Sequence, residues 1–108
     1  MCYSSEHITL AESENCQISW CKGCKSYSVL YKSCCLSFIQ DEISQFRDML
    51  VNLEELDFNY DFLGQKHAIV KNKYTYMGIC LAKGDVDNLL DTVNKAISIN
   101  EAFRIIYK

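Results

Sequence analysis

Proline is missing from this 108-residue chain, and glycine occurs four times. Without proline, no cis-proline turn is available and no helix is stopped by an imino acid. Long apolar runs are missing as well. The longest, residues 29–39, is interrupted by Lys32 and Ser33 and falls far short of the roughly 20 residues that cross a bilayer, so no membrane span is expected. Lysine and arginine are scattered singly, and the net charge is −3. Phosphate binding needs clustered cations to displace counterions, so a nucleic-acid partner is not expected. No Gly-rich phosphate loop, His-Glu-x-x-His or Gly-x-Ser-x-Gly is present, and the enzyme classes built on them are not indicated. The opening residues Met-Cys-Tyr-Ser-Ser-Glu-His carry no basic segment leading into an apolar one. A secretion signal or a lipid anchor at Cys2 is therefore not expected, and a cytoplasmic, thiol-reducing location is.

What is present suits a globular chain. Apolar residues make up 49% and charged residues 23%, enough for one modest core, so residues 1–108 are expected to form a single domain. Seven cysteines are an odd number, and their spacing does not suggest a secreted disulfide framework. Most are expected to be buried thiols behaving as small hydrophobes.

Residues 7–12 and 16–20 alternate apolar with polar, and Ser13-Glu14-Asn15 between them is turn chemistry, which predicts a β-hairpin. Residues 26–32 and 34–39 predict two more strands around Lys32-Ser33. Ile43, Phe46, Leu50 and Leu53 recur at helical spacing, which predicts a helix over 41–56 with Asp41 as its N-cap. Residues 57–66 read as loop, and 67–72 and 74–82 as strands around Asn72-Lys73. A second helix starts at Gly84-Asp85 with Val86, Leu89, Leu90, Val93 and Ile97 on one face. It extends to about residue 105, although the tail from Ile99 also suits a strand. Leu36 to Phe46 aligns with Ile79 to Leu89 at one constant offset. Either a pseudo-repeat of two strand-strand-helix units or the shared demands of any strand-turn-helix unit accounts for that. The fold class expected is α+β: an antiparallel β-sheet built from hairpins, with two amphipathic helices packed on one face.

The chemistry-bearing stretch is Trp20-Cys21-Lys22-Gly23-Cys24-Lys25, which holds the sole tryptophan. Three readings of it stand open. As a redox motif it resembles the thioredoxin active site. There the motif opens a long helix whose N-terminus acidifies the thiol, and a cis-proline faces the pair. Here Ser26 to Tyr31 alternates like a strand and proline is absent, so a thioredoxin fold is not expected. As a metal half-site, two thiolates two residues apart can both point at one zinc ion. If residue 12 faces 15 across the first turn, His7 ends opposite Trp20, beside the cysteine turn, and Cys2 lies a few residues beyond it. Cys16 is roughly 16 Å from Cys21 along an extended strand and cannot share the ion. Cys34 and Cys35 lie at the far end of the next hairpin. The ligand set this assembles is Cys2, His7, Cys21 and Cys24, although zinc ribbons usually carry glycine where this chain has Lys25. The third reading is a plain turn. Gly23 supplies a positive φ, Trp20 and Tyr27 pack across the strands, and the thiols are merely small. This reading asks least.

Asp57, Asn59 and Asp61 imitate half of a calcium loop, but Phe62 replaces the turn glycine and Ala68 the bidentate glutamate. A solvated acidic loop is expected instead. His67 is expected to be an ordinary surface residue. Asp85, Asp87 and Asp91 suit the positive end of a helix dipole without any catalytic role. Tyr60, Phe62, Tyr74 and Tyr76 suit either the core or an exposed aromatic surface for a partner.

In the order of its features the chain resembles a family of short uncharacterised Bacteroidetes proteins, a domain of unknown function. Those features are Met1-Cys2, Cys21-x-x-Cys24, apolar strands from Tyr27 to Phe38, Asp41-Glu42-Ile43-x-x-Phe46, Lys66-His67-Ala68-Ile69-Val70, and Ile79-x-Leu81 leading into Val86-x-x-Leu89-Leu90. The resemblance implies no activity and adds weight to Cys21 and Cys24 as a pair. Together these readings predict a small non-enzymatic interaction or structural domain. Its partner is another protein or a second copy of itself, and the cysteine turn is a candidate site for a structural zinc. A thiol-dependent redox protein using Cys21 and Cys24 is the alternative.

Overall fold

A computed structural model describes residues 7–71 and 78–106, with side chains through residue 103. The elements are β1 (His7–Ser13), β2 (Cys16–Cys21), β3 (Ser26–Tyr31), β4 (Cys34–Ile39), α1 (Gln40–Val51), β5 (Tyr60–Phe62), β6 (Gln65–Lys71), β7 (Gly78–Ala82) and α2 (Lys83–Ile106). The α+β class is as expected. The strands divide into two antiparallel sheets, ordered β1-β2-β3-β4 and β5-β6-β7. Two helices, each directly following the last strand of a sheet, complete the fold.

Alternation along the strands fixes which face is buried. Cross-strand rows Ile18↔Val29↔Leu36 and Trp20↔Tyr27↔Phe38 point at the helices. Trp20 and Tyr27 pack edge to face with centroids 4.9 Å apart, as their pairing predicts. Beneath this face α1 touches β3 and β4, α2 touches β1 and β2, and the helices touch each other. Ile43, Phe46 and Leu50 of α1 and Val86, Leu89, Val93, Ala96 and Ile97 of α2 supply the opposing apolar stripes. The second sheet adds Val70, Ile79 and Leu81 to the same core, against which α2 also packs. Burying each such side chain stabilises the fold by roughly 1.5–3 kcal/mol before entropy is counted.

Several boundaries differ from expectation. The first hairpin turns on Glu14-Asn15 alone, because Ser13 pairs with Cys16, and the register slips between Thr9 and Ala11. The tighter turn moves the ladder by two positions and the bulge, which absorbs the buried Leu10, takes one back, so His7 falls opposite Cys21 instead of Trp20. Helix α1 begins at Gln40, one residue before Asp41. Its N-cap is Ile39, whose amide donates to Glu42 Oε1 at 3.0 Å. The helix stops at Val51, not at residue 56. Its last turn has no basic residue to suit the dipole, and continuing would place Glu54 and Glu55 at the negative end. Instead the Glu54 amide donates to Asp57 Oδ2 at 2.7 Å, which starts a separate 3-10 turn over Glu55–Asp57.

Residues 57–66, expected to be loop, contain β5 and its turn into β6. Leu63 and Gly64 both have positive φ, +52° and +79°, the signature of a two-residue hairpin turn with the twist strands require. The break expected at Asn72-Lys73 lies outside the described residues. The tail from Ile99 continues α2 as helix through Ile106. Helix α2 opens with the same device as α1, the Ala82 amide donating to Asp85 Oδ2 at 3.0 Å.

Candidate functional site

The cysteine turn is a four-residue loop, residues 22–25, closed by the pair Cys21↔Ser26. Lys25 donates its amide to the Cys21 carbonyl at 2.8 Å. The residue with left-handed backbone is Lys25, φ +53°, and not Gly23 as expected. A four-residue hairpin loop is built around a right-handed turn and needs reversal at its last position, so Gly23 is not where freedom is required. Within the loop the Cys24 amide points at the Cys21 sulfur, 3.3 Å away. A backbone donor aimed at sulfur is the outer-shell support that thiolate metal ligands use. The loop then runs into β3, so no helix N-terminus lies at Cys21 to assist redox chemistry.

Cys21 is buried, only 1% exposed. The exposed Cys24 is disulfide-bonded, and not to Cys21. His7 sits on the neighbouring strand directly across from Cys21 and is exposed. Of the four expected ligands, then, the fold gathers His7, Cys21 and Cys24 at one end of the sheet, and Cys2 lies outside the described residues. Among the described residues no three His, Cys, Asp or Glu side chains converge closely enough to hold a metal by themselves.

The other thiols are elsewhere. Cys16 is buried at the far end of β2, where burial pushes its thiol up and the Thr92 hydroxyl partly offsets this. Cys34 and Cys35 are free and exposed on β4, and Cys80 is free and exposed on β7. His67 shares a 3.0 Å hydrogen bond between Nδ1 and the Gln65 carbonyl and stands edge-on to the Phe62 ring. Asp61 of the acidic segment pairs with Lys66 at 3.1 Å, and Asp91 with Lys95 at 3.1 Å.

A second polar cluster joins the opposite end of the sheet to the start of α2. Asp85 accepts the Tyr31 hydroxyl and the Ala82 amide and lies 3.3 Å from Lys32 Nζ. One turn further on, Ser13 donates to Asn88 Oδ1 at 2.6 Å, and Thr92 bonds the Asn88 carbonyl at 2.8 Å and Ser13 Oγ at 3.2 Å. The signal for it was present in the sequence. Asp85, Asn88 and Thr92 recur at three and four residues, a polar stripe beside the apolar one.

A family model described as a family of unknown function, DUF6686, matches residues 1–103. The chain belongs to that family. No curated protein and no solved structure matches it. Membership in DUF6686 supplies no activity, so the chemistry of this DUF6686 chain is argued from its own residues. Among its described residues no helix is long and apolar enough to cross a membrane. The second sheet turns apolar side chains outward: Tyr60 and Phe62 are 51% and 55% exposed, and Ile69 of β6 is exposed beside them. Tyr74 and Tyr76, grouped with them on sequence grounds, lie outside the described residues.

Proposed function

We propose that this chain is a non-enzymatic interaction domain whose cysteine turn is a structural zinc half-site, completed by His7 and Cys2. The observation that carries this reading is the turn itself. Lys25 takes the left-handed conformation for which zinc ribbons ordinarily use glycine, and the Cys24 amide is aimed at the Cys21 sulfur. The bulge in β1 adds to it by setting His7 directly across from Cys21. Zinc suits three sulfurs and an imidazole in a closed tetrahedral site, and binding requires Cys24 as a thiolate, so the disulfide state and the metal state exclude each other.

The interaction surface proposed is the outward face of the second sheet, where Tyr60, Phe62 and Ile69 stand exposed. Rigid aromatic side chains held by a sheet give contact area at little entropic cost, which suits a protein partner. A cytoplasmic location is part of the proposal, and the free thiols of Cys16, Cys34, Cys35 and Cys80 support it.

The test is metal analysis of protein purified without chelator under reducing conditions, together with a thiol titration. About one zinc per chain, lost in Cys21→Ser and Cys24→Ser but kept in Cys16→Ala, is the expected result. Protein that stays metal-free at high zinc, or that binds equally well without Cys21, overturns it.

A further inference from the structure

We propose that the β4 edge of the four-stranded sheet pairs with the same strand of a second copy, in antiparallel register about a twofold axis. This names one partner for the interaction domain and rests on that reading, but not on the zinc site.

An edge strand presents a row of unpaired amides and carbonyls that only another extended segment can satisfy, and folds usually blunt such edges with charge, bulges or shortness. Among the described residues three of the four sheet edges need no partner. β1 carries a bulge, His7 and Glu12. β5 has three residues and Asp61. β7 is uncharged, but its inward residues Ile79 and Leu81 are already buried. β4 differs from all three. It is Cys-Cys-Leu-Ser-Phe-Ile, six residues in unbroken register with β3, with no charge and no bulge. It is also incompletely covered. Leu36 and Phe38, which face the core, are only half-buried, and Ile39 is 55% exposed.

Twofold pairing restricts the register. Both inward faces must lie on one side of the joined sheet, so each residue must meet one of its own parity, and a residue must sit on the axis. With Ser37 on the axis, Leu36 meets Phe38 of the second copy inside, and Cys35 meets Ile39 of the second copy outside. With Leu36 on the axis, Ile39 is left beyond the ladder, so the Ser37 register covers more apolar surface. Charge agrees with it. Lys32, just before β4, comes beside the first turn of α1 in the other copy, which carries Asp41 and Glu42. A six-residue ladder is small beside the roughly 1,200 Å² of a stable interface, so association is expected at micromolar concentration or weaker.

Sedimentation of the full chain from micromolar to near-millimolar concentration, with and without chelator, tests this. The expected result is a reversible monomer–dimer equilibrium in both conditions. Ser37→Lys places two like charges across the axis and should weaken association about tenfold or more while leaving the circular dichroism spectrum unchanged. In a Cys34→Ser, Cys35→Ser background, Ser37→Cys should form an intermolecular disulfide on mild oxidation. Paired antiparallel residues have Cα atoms about 4.5–5.5 Å apart, within disulfide reach. A chain that stays monomeric throughout in both conditions overturns the edge pairing while leaving the aromatic face and the zinc site to their own tests. A dimer indifferent to Ser37→Lys that fails to cross-link at residue 37 also overturns it. Dimer that is lost only with chelator assigns association to the metal site instead, and overturns it as well.

Discussion

Asn100 of α2 donates through Nδ2 to the Tyr27 hydroxyl of β3 at 2.8 Å, and both side chains are buried, at 3% and 2% exposure. The bond fixes the rotation of a long helix against the middle of the first sheet, between residues far apart in the chain. A buried amide is tolerated only when it is paired, and its loss is felt as desolvation of the group left behind.

Tyr27→Phe should therefore destabilise the fold by about 1–3 kcal/mol, by stranding Asn100. Asn100→Leu in the same protein should recover part of that loss. Urea unfolding of the two single variants and the double variant checks this through the coupling energy. Independent, additive effects would mean the bond contributes nothing.

Acid stability should be set in part by Asp85. Burial alone would raise its carboxyl, but the Tyr31 hydroxyl, the Ala82 amide and Lys32 outweigh burial and hold it below the usual carboxylate range. A carboxyl depressed in the folded state stabilises the fold above its unfolded value of about 3.9, and loses that contribution as pH falls through the folded value. Asp85→Asn should flatten the loss of stability below about pH 4, and Asp85→Ala should cost about 1–3 kcal/mol at neutral pH by leaving the Tyr31 hydroxyl and the helix cap unpaired. Thermal melts across acid pH measure both.

The partner of that carboxylate acts at the other end of the pH scale. Burial first, and then Asp85, push the Tyr31 hydroxyl up. A raised acid favours its protonated form in the folded state, so its contribution is complete below the unfolded value of about 10 and is lost as pH rises through the folded value. Tyr31→Phe should remove the part of the alkaline destabilisation that begins above about pH 10, read by alkaline unfolding.

Leu63 occupies the first left-handed position of the β5–β6 turn and is 86% exposed. It gains nothing from packing there, while a left-handed conformation costs a branched residue about 1–2 kcal/mol. Leu63→Asn gives the favoured Asn-Gly turn and should stabilise the protein by about 0.5–1 kcal/mol. Gly64→Ala, with φ +79° and open space around it, should destabilise through backbone strain alone. Paired denaturation curves decide both signs.

Much of the fold is legible locally. Alternation in residues 16–20 and 26–32 marks β2 and β3 and which side faces inward, so the Trp20–Tyr27 contact follows from sequence. The recurrence of Ile43, Phe46 and Leu50, and of Val86, Leu89 and Val93, marks the buried faces of both helices. The β5 hairpin escapes notice because Leu-Gly is a poor advertisement for a turn that Asn-Gly would announce. At the candidate site the cysteine pair and its exit into a strand are visible in sequence. The pairing of His7 with Cys21 is not, because it depends on a bulge at Leu10.

Apart from β5 and the end of α1, the sequence by itself determined where the chain extends and where it coils, since that information lies in residues two, three and four positions apart. It also determined that the cysteine turn opens a strand. Tertiary structure alone decided that the strands divide into two sheets, that Lys25 and not Gly23 reverses the turn, and that Leu10 slips out of register. Those outcomes depend on which distant side chains compete for the same buried space: Leu10 enters the core at the cost of a regular ladder, and every residue on the far side of the bulge shifts by one to meet a different partner.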